Sequence, residues 1–539
     1  MATPELKRRL SPMDAFFLYI EREEEPMNVG FVAQFEGKIP LKKFRSHIEA
    51  RLHLIPRYLQ RVMPAPLNIG MPTWEFDPDF NIENHIIRVK CEAPGDDAAL
   101  RRTCEKLFRG TLDRGKPLWE MYLVEGMKGN RTGMMTKIHH AMVDGISGIA
   151  LMYITFDAWP TPEKMKKQKR EAPALPSQSQ LLYDALWDNA IDSLDHWSRF
   201  QKGLADYARG FSGTQTWDAF KEFAATMRDF LAPSKRMPFN KPFNGERKFA
   251  FADFSFAEAR AIRAACGGTL NDVALTVLSG ACRQYALMHG ESVRKRYLRV
   301  LVPVNIRTED ERGAMGNRIS FLPLEIPLEV KDHIERLRII NETTQELKHS
   351  RVSEAVSLMF NALQGMPAPL QALSLGSVAR PSMQQLLGKA WQVPPMHLIC
   401  TNVPGPQIPL YCVGKRLLNY YALLPIAFEM GISCGITSYD QRLFISFIAD
   451  GNAAPDVDKL MEFMHESFIE LRAAAEVKER HVVELAHAIR AKQEEAAREH
   501  GKANGNGNGN GNGSNSRKRK IASPRSATAP QADMPASVN

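Results

Sequence analysis

The chain has 539 residues, a formal charge of +9, and a composition that is 44% hydrophobic and 24% charged. This excludes a disordered or fibrous protein and provides enough chain for roughly two to four packed domains. It also weakens a nucleic-acid reading, because six basic residues and one acidic residue from Gly501 onward account for more than half of the net charge.

The seven cysteines are odd in number, irregularly spaced and free of any Cys-x-x-Cys pair. That pattern predicts reduced thiols in a cytoplasmic setting rather than a disulfide framework. The first ten residues lack the apolar core of a signal peptide. No run of about 20 uninterrupted apolar residues is present, so no transmembrane helix is expected.

Leu10-Ser11-Pro12-Met13-Asp14 predicts a helix start, with Ser11 as N-cap and Pro12 at the first helical position. A strand is predicted over 29–35 and a helix over 41–54. The aromatic and acidic residues of 74–86 read as a turn between strands, with His85 in a structural role. An amphipathic helix over 96–109 follows. Pro117-Leu118-Trp119-Glu120 then leads into a strand over 121–124, with Trp119 as its apolar anchor.

The organising stretch is Lys137-Ile138-His139-His140-Ala141-Met142-Val143-Asp144-Gly145. A strand-like run precedes it and an apolar helical run follows from Gly148, so it forms a tight strand-to-helix connection. Histidine titrates near neutrality and can take a proton from an alcohol. Successive strand residues alternate, so one histidine faces a cavity and the other faces away; spacing does not say which. Asp144 contacts a ring, braces the loop with a buried cation, or caps the next helix. Gly145 permits a backbone angle closed to other residues. A metal site on His140 and Asp144 lacks a third ligand nearby, and none is expected.

Residues 160–177 are polar, basic and proline-rich, a linker. An aromatic-rich helical connector is predicted over 181–231, packing on the core or lying on a membrane. The second half alternates strands and helices. Thr269-Leu270-Asn271-Asp272 predicts a capping box that opens a long helix to about 288. A buried strand over 299–307 ends at Arg307, which is preferred over Arg318 as the cation that holds Asp144. Asn402 lies where a strand from 397 runs into the turn Val403-Pro404-Gly405-Pro406. It is a turn former or an oxyanion donor, and the resemblance given below adds contact with a pantetheine arm. Strands over 431–439 and 442–450 predict a hairpin around Asp440-Gln441. A final helix starts near 457. Five Asn-Gly repeats over 504–513 and Arg517-Lys518-Arg519-Lys520 predict a tail without a packed core.

His139-His140-x-x-x-Asp144-Gly145 resembles the signature of the coenzyme A-dependent acyltransferases of the chloramphenicol acetyltransferase and peptide-condensation type. The wider sequence is similar to the bacterial wax ester synthase/diacylglycerol acyltransferase family. Leu10-Ser11-Pro12-Met13-Asp14, Pro117-Leu118-Trp119, Asn271-Asp272 and Thr401-Asn402-Val403-Pro404-Gly405-Pro406 carry the likeness, in order, over about 8–475. Asn28 departs from it, standing where the family commonly has histidine.

The resemblance implies an α/β fold of two chloramphenicol acetyltransferase-like lobes, each a mixed sheet with helices, and an active-site tunnel between them. The first lobe is assigned to 1–160, the linker and connector to 161–237, the second lobe to 238–475, and the charged helix and tail to 476–539. It implies transfer from acyl-coenzyme A to diacylglycerol or a long-chain alcohol, with His140 as base, His139 orienting it and Asp144 bracing the loop. Asn271, Asp272, Asn402, Arg307 and Trp119 are the expected substrate-binding residues. No metal or redox cofactor is implied, and the absence of a Gly-x-Ser-x-Gly elbow argues against a serine acyl-enzyme. The expected location is cytoplasmic, with peripheral contact to a membrane or lipid inclusion. The competing classes are a same-fold enzyme using carrier-bound or polyketide-derived substrates, and a non-catalytic lipid-surface protein.

Overall fold

The computed structural model describes residues 8–142, 151–162, 165–167, 174–187, 198, 201–202, 234–305, 319–349, 368–378 and 396–479. The sequence expectations for Asp144, Gly145, Arg307 and Arg318, for most of the connector and for the tail from 480 lie outside these residues.

Helix α1 (Pro12–Ile20) opens as its sequence dictates. Asp14 N donates to Ser11 Oγ at 3.1 Å, and the Asp14 carboxylate accepts from Ser11 N, a reciprocal capping box. Strand β1 (Asn28–Glu36) follows, then α2 (Leu41–Glu49), the short β2 (Gln60–Met63) and β3 (Thr73–Phe76), and β4 (Ile86–Lys90). The first half is completed by α3 (Asp97–Leu107), capped by Asp96, and by β5 (Trp119–Met127) and β6 (Arg131–His139).

In the second half, β7 (Arg247–Ser255) leads to α4 (Phe256–Cys266) and the long α5 (Leu270–Met288). Next come β8 (Tyr297–Asn305), β9 (Ile319–Pro327), α6 (His333–His349) and α7 (Ala368–Val378). β10 (Leu398–Pro404), β11 (Tyr411–Cys412) and β12 (Lys415–Leu423) precede the hairpin of β13 (Ile432–Tyr439) and β14 (Arg442–Asp450), and α8 (Val457–Ala474) follows. Asp440 and Gln441 both adopt positive φ, 44° and 65°, the geometry a two-residue hairpin turn requires.

Two six-stranded mixed sheets result, in the orders β11-β12-β1-β6-β5-β4 and β7-β14-β13-β10-β8-β9. In the first, β4 pairs parallel with β5; in the second, β10 pairs parallel with β13 and β8. The second half is not confined to its own sheet. β12 pairs antiparallel with β1, from Gly30 opposite Leu423 to Phe35 opposite Leu417, so residues of the second half extend the sheet that carries the histidines. The two sheets meet through an apolar layer that includes Val32, Tyr122 and Met135 from one and Phe249 and Ile448 from the other. Ser446 Oγ donates to Ala422 O across this junction, and Tyr439 OH donates to Leu417 O at 3.0 Å.

The largest apolar core surrounds α5, whose Val273, Leu275, Val277, Leu278, Ala281, Cys282 and Tyr285 are buried on several sides. A helix apolar around most of its circumference can only be central, and α4, α6 and α8 pack about it. All seven cysteines are free thiols, as their irregular spacing predicts. Among the described residues, no helix is long and apolar enough to cross a membrane.

Candidate active site

β1 and β6 pair along their whole length, and this places Asn28 directly opposite His139. His139 is the last residue of β6, and His140 opens the short turn His140–Met142. The alternation predicted for the pair separates them sharply. His139 is fully buried. Its Nδ1 accepts from Ala141 N at 3.1 Å, so the ring proton resides on Nε2. Nε2 lies 3.3 Å from Glu21 Oε1. His140 is half-buried; its N–H donates to Met27 O at 2.7 Å and its ring stacks on Phe17, with centroids 3.9 Å apart and planes 17° from parallel.

One short helix therefore positions both histidines. Phe17 and Glu21, at i and i+4, occupy the same side of α1 and its C-cap. The Glu21 carboxylate is itself held: Oε1 accepts from Met27 N at 3.1 Å, and Oε2 from Arg114 Nη2 at 3.0 Å. Burial pushes the Glu21 carboxyl up, but His139 and Arg114 outweigh it and hold it below the ordinary carboxylate range. Sequence reasoning did not find Glu21. It stands in the acidic run Glu21-Arg22-Glu23-Glu24-Glu25, where nothing local separates a buried carboxylate from exposed ones.

The loop between α3 and β5 closes this side of the site. Arg114 Nη2 also donates to Leu18 O at 2.7 Å, Asn28 Nδ2 to Gly110 O at 2.9 Å, and Lys137 Nζ to Arg109 O at 2.7 Å. Lys137 is buried two residues before His139. Burial lowers its pKa, against the opposing charges of Glu120, Glu21 and Glu23. Asn28 is thus a buried tie to the 110 loop.

Trp119 is fully buried, with its indole N–H donating to Tyr58 O at 2.8 Å and its ring stacked on His85. It anchors β5, as its size and place in sequence indicate. His85 is structural too: Nδ1 lies 2.8 Å from Trp119 O, and burial lowers its pKa. Asn271 is half-buried and Asp272 buried at the start of α5. Asp272 Oδ2 accepts from Thr269 N at 2.8 Å and Thr269 Oγ1 at 2.9 Å, and Oδ1 accepts from Thr344 Oγ1 on α6 at 3.1 Å. The predicted capping box is present, and Asp272 also ties α5 to α6. Asn402 is half-buried on β10, opposite Ile436. Among the described residues, no cluster of three or more His, Cys, Asp or Glu has the geometry of a metal site.

Comparison with known proteins agrees with this architecture. Residues 10–274 match the wax ester synthase/diacylglycerol acyltransferase catalytic domain, and residues 315–472 match the C-terminal domain of the same family. A Mycobacterium tuberculosis protein named as a probable diacylglycerol O-acyltransferase, tgs1, is 27% identical over 470 residues, which is 86% of this chain and 96% of that one. The wax ester synthase/diacylglycerol acyltransferase from Marinobacter aquaeolei VT8 superposes with a TM-score of 0.59 at 21% identity, over 87% of this chain and 100% of that one. The first condensation domain of the calcium-dependent antibiotic synthetase shares the fold at a TM-score of 0.52 and 13% identity, over 89% of this chain and 99% of that one. With both family domains matched in order across most of its length, the chain belongs to the wax ester synthase/diacylglycerol acyltransferase family and is an O-acyltransferase.

Proposed function

We propose that the chain transfers a fatty acyl group from acyl-coenzyme A to the free hydroxyl of a diacylglycerol, a long-chain alcohol, or both, with His140 as the base. The observation that carries this reading is the unequal setting of the two histidines. His139 is fully enclosed, with Nδ1 accepting from Ala141 N and Nε2 3.3 Å from the Glu21 carboxylate, whereas the half-buried His140 ring is held flat on Phe17. The acceptors are those for which the relatives and the family are named.

In the proposed reaction, His140 removes the acceptor's hydroxyl proton as the oxygen attacks the thioester carbonyl carbon. The tetrahedral oxyanion is stabilised by hydrogen-bond donors, with Asn402 among the candidates. The carbon–sulfur bond then breaks, coenzyme A leaves as a thiolate, and the proton on His140 passes to it. The ester and free coenzyme A are the products, with no change of oxidation state. His139 and Glu21 fix the strand end from which His140 projects. Asp144, braced by Arg307, holds the loop beyond it. Asn271, Asp272 and Trp119 shape the substrate-binding region from behind.

Apolar substrates call for contact with a lipid surface, and an exposed apolar patch supports this. Leu67 is 86% exposed, Leu373 65% and Trp187 62%. They belong to neighbouring segments: the turn carrying Leu67 packs on α7, and Gly70 backs onto Ala185. Leu370, Tyr183 and Leu186 extend the patch. Large apolar side chains exposed on neighbouring segments are the composition expected of an interaction site.

The test is coenzyme A release from palmitoyl-coenzyme A, with hexadecanol and dioleoylglycerol supplied separately. Acceptor-dependent release with either supports the reading and ranks the acceptors. No release from palmitoyl-coenzyme A, together with turnover of a carrier-bound acyl donor, would reject it.

A further inference from the structure

A second polar site lies on the helix layer of the second sheet. The helices α5, α6 and α8 and the turn before α6 line a small open cleft. Two guanidinium groups enter it. Arg336 is 2% exposed; its Nη2 donates to Val330 O at 2.6 Å and Lys331 O at 3.3 Å. Arg283 is 9% exposed, and its Nε is buried without a hydrogen-bond partner. Among the described residues, no carboxylate lies within 4.0 Å of either guanidinium. Ser467 on α8 contributes a third group, a buried hydroxyl that also lacks a partner.

The backbone is arranged to bring these groups together. Gly280 lies one turn before Arg283 on α5. A Cβ there would sit 2.2 Å from Ser467 Oγ and 2.8 Å from Arg336 Nη1. Only glycine allows α5, α8 and the Arg336 guanidinium to converge. Burial and then the charge of Arg283 push the Arg336 pKa down to about 10, against Glu470 and Asp332. Glu470 is half-exposed and engages His333 Nε2 at 2.9 Å, and Glu466 lies exposed at the rim. Lys331 adds a further positive charge to the lining.

Enclosing two like charges with no carboxylate in ion-pair contact is unfavourable, and a buried hydroxyl without a partner adds to the cost. A tetrahedral oxyanion accepting from Arg283 and Ser467 supplies the partners these two side chains lack, and its charge offsets that of Arg336, whose Nη2 is taken by the two carbonyls and whose Nη1 lies 3.5 Å from His333 Nδ1. We propose that Arg283, Arg336 and Ser467 form a binding site for a phosphate-type oxyanion. Arg283 lies roughly 18 Å along α5 from Asn271, taking 1.5 Å per helical residue. None of these three residues is among those assigned to acyl transfer, and the inference does not depend on that assignment.

Two sources share this chemistry, a soluble phosphate and the phosphate of a lipid headgroup. The full chain is titrated calorimetrically with inorganic phosphate. It is also sedimented with phosphatidylcholine vesicles, with and without phosphatidic acid. The expected result is saturable phosphate binding that weakens at least tenfold in Arg283→Gln and Ser467→Ala, with each variant's thermal midpoint confirming that it is folded. Glu466→Gln, at an exposed position, is expected to tighten binding about threefold by removing a competing negative charge. Phosphatidic-acid-dependent sedimentation that falls in Arg283→Gln, and is competed by phosphate, would identify the lipid as the source. Phosphate binding without such sedimentation would identify the soluble ion. The proposal is overturned if wild type binds neither probe, if Arg283→Gln binds as wild type does, or if Glu466→Gln leaves the affinity unchanged or weaker.

Discussion

Glu21 Oε1 lies 3.3 Å from His139 Nε2, and both side chains are almost wholly enclosed. The opposite ring nitrogen of His139 accepts from Ala141 N, so one end of the imidazole is hydrogen-bonded and the other faces the carboxylate. A ring fixed in this way sets the direction in which the next residue, His140, leaves the strand. Glu21→Gln keeps the shape but removes the charge. Removing a charged hydrogen-bond partner costs about 1.5–3 kcal/mol. Because the folded carboxyl is held below its ordinary value of 4.5, its contribution is present above that value and disappears as pH falls through the lower folded value. The thermal midpoint of Glu21→Gln is therefore expected to lie below wild type at pH 7 and to converge with it in acid. A gap that stays constant down to pH 3 would show that the carboxylate charge does not stabilise the fold.

Phe17 supplies the surface on which His140 lies flat. Stacked rings of this kind contribute about 0.5–1.5 kcal/mol beyond the area they bury. In Phe17→Ala the imidazole gains rotational freedom, and kcat is expected to fall by about tenfold, an orientation effect. The KM for acyl-coenzyme A should change little, and Phe17→Tyr should retain most of the rate. Steady-state kinetics of the two variants test this; equal losses in both would point to a role other than stacking.

Thr269 and Asp272 close the N-terminus of α5 reciprocally, and Asp272 also receives the Thr344 hydroxyl. Thr269→Ala should cost about 1 kcal/mol, the usual effect of losing an N-cap. Asp272→Ala leaves the Thr269 N–H and hydroxyl without their acceptor and removes the contact with Thr344, and should cost about 2–3 kcal/mol, in line with charged hydrogen bonds. Thermal melts of the two variants give the order directly. A smaller loss for Asp272→Ala than for Thr269→Ala would contradict the tie to α6.

The features legible in the sequence were local ones. Ser11 with Asp14, Thr269 with Asp272, and the Asp440-Gln441 turn each depend on residues within a few positions, and all three form as expected. The strand ending at His139 and the alternation between the two histidines were legible for the same reason. Glu21 and β12 were not. Glu21 reaches His139 through the pairing of β1 with β6 and the return of α1 over its end, a contact between residues distant in sequence. The pairing of β12 with β1 joins residues from opposite halves of the chain, and Lys415 to Leu423 has no strict apolar alternation to mark it as a strand. The anchoring role of Trp119 was legible from its size and its place beside a strand, whereas its His85 partner required the fold.

Leu370 and Leu373 lie on the exposed side of α7 within the proposed lipid-facing patch. Replacing a leucine that inserts fully into an apolar phase costs about 1.5 kcal/mol or more. The double variant Leu370→Ser, Leu373→Ser should bind phosphatidylcholine vesicles at least tenfold more weakly while its thermal midpoint stays within a few degrees of wild type. Unchanged sedimentation with vesicles would remove this patch from the account.

The most direct test concerns His140. Coenzyme A release from palmitoyl-coenzyme A is measured with and without acceptor for wild type and for His140→Ala, at equal concentrations of protein shown to be folded by its thermal midpoint. A positioned base contributes about 10²- to 10⁴-fold to such a transfer. Acceptor-dependent release is expected to fall by that order in His140→Ala, with Glu21→Gln intermediate. Acceptor-dependent release that persists within a few-fold of wild type in His140→Ala would contradict the assignment of the base.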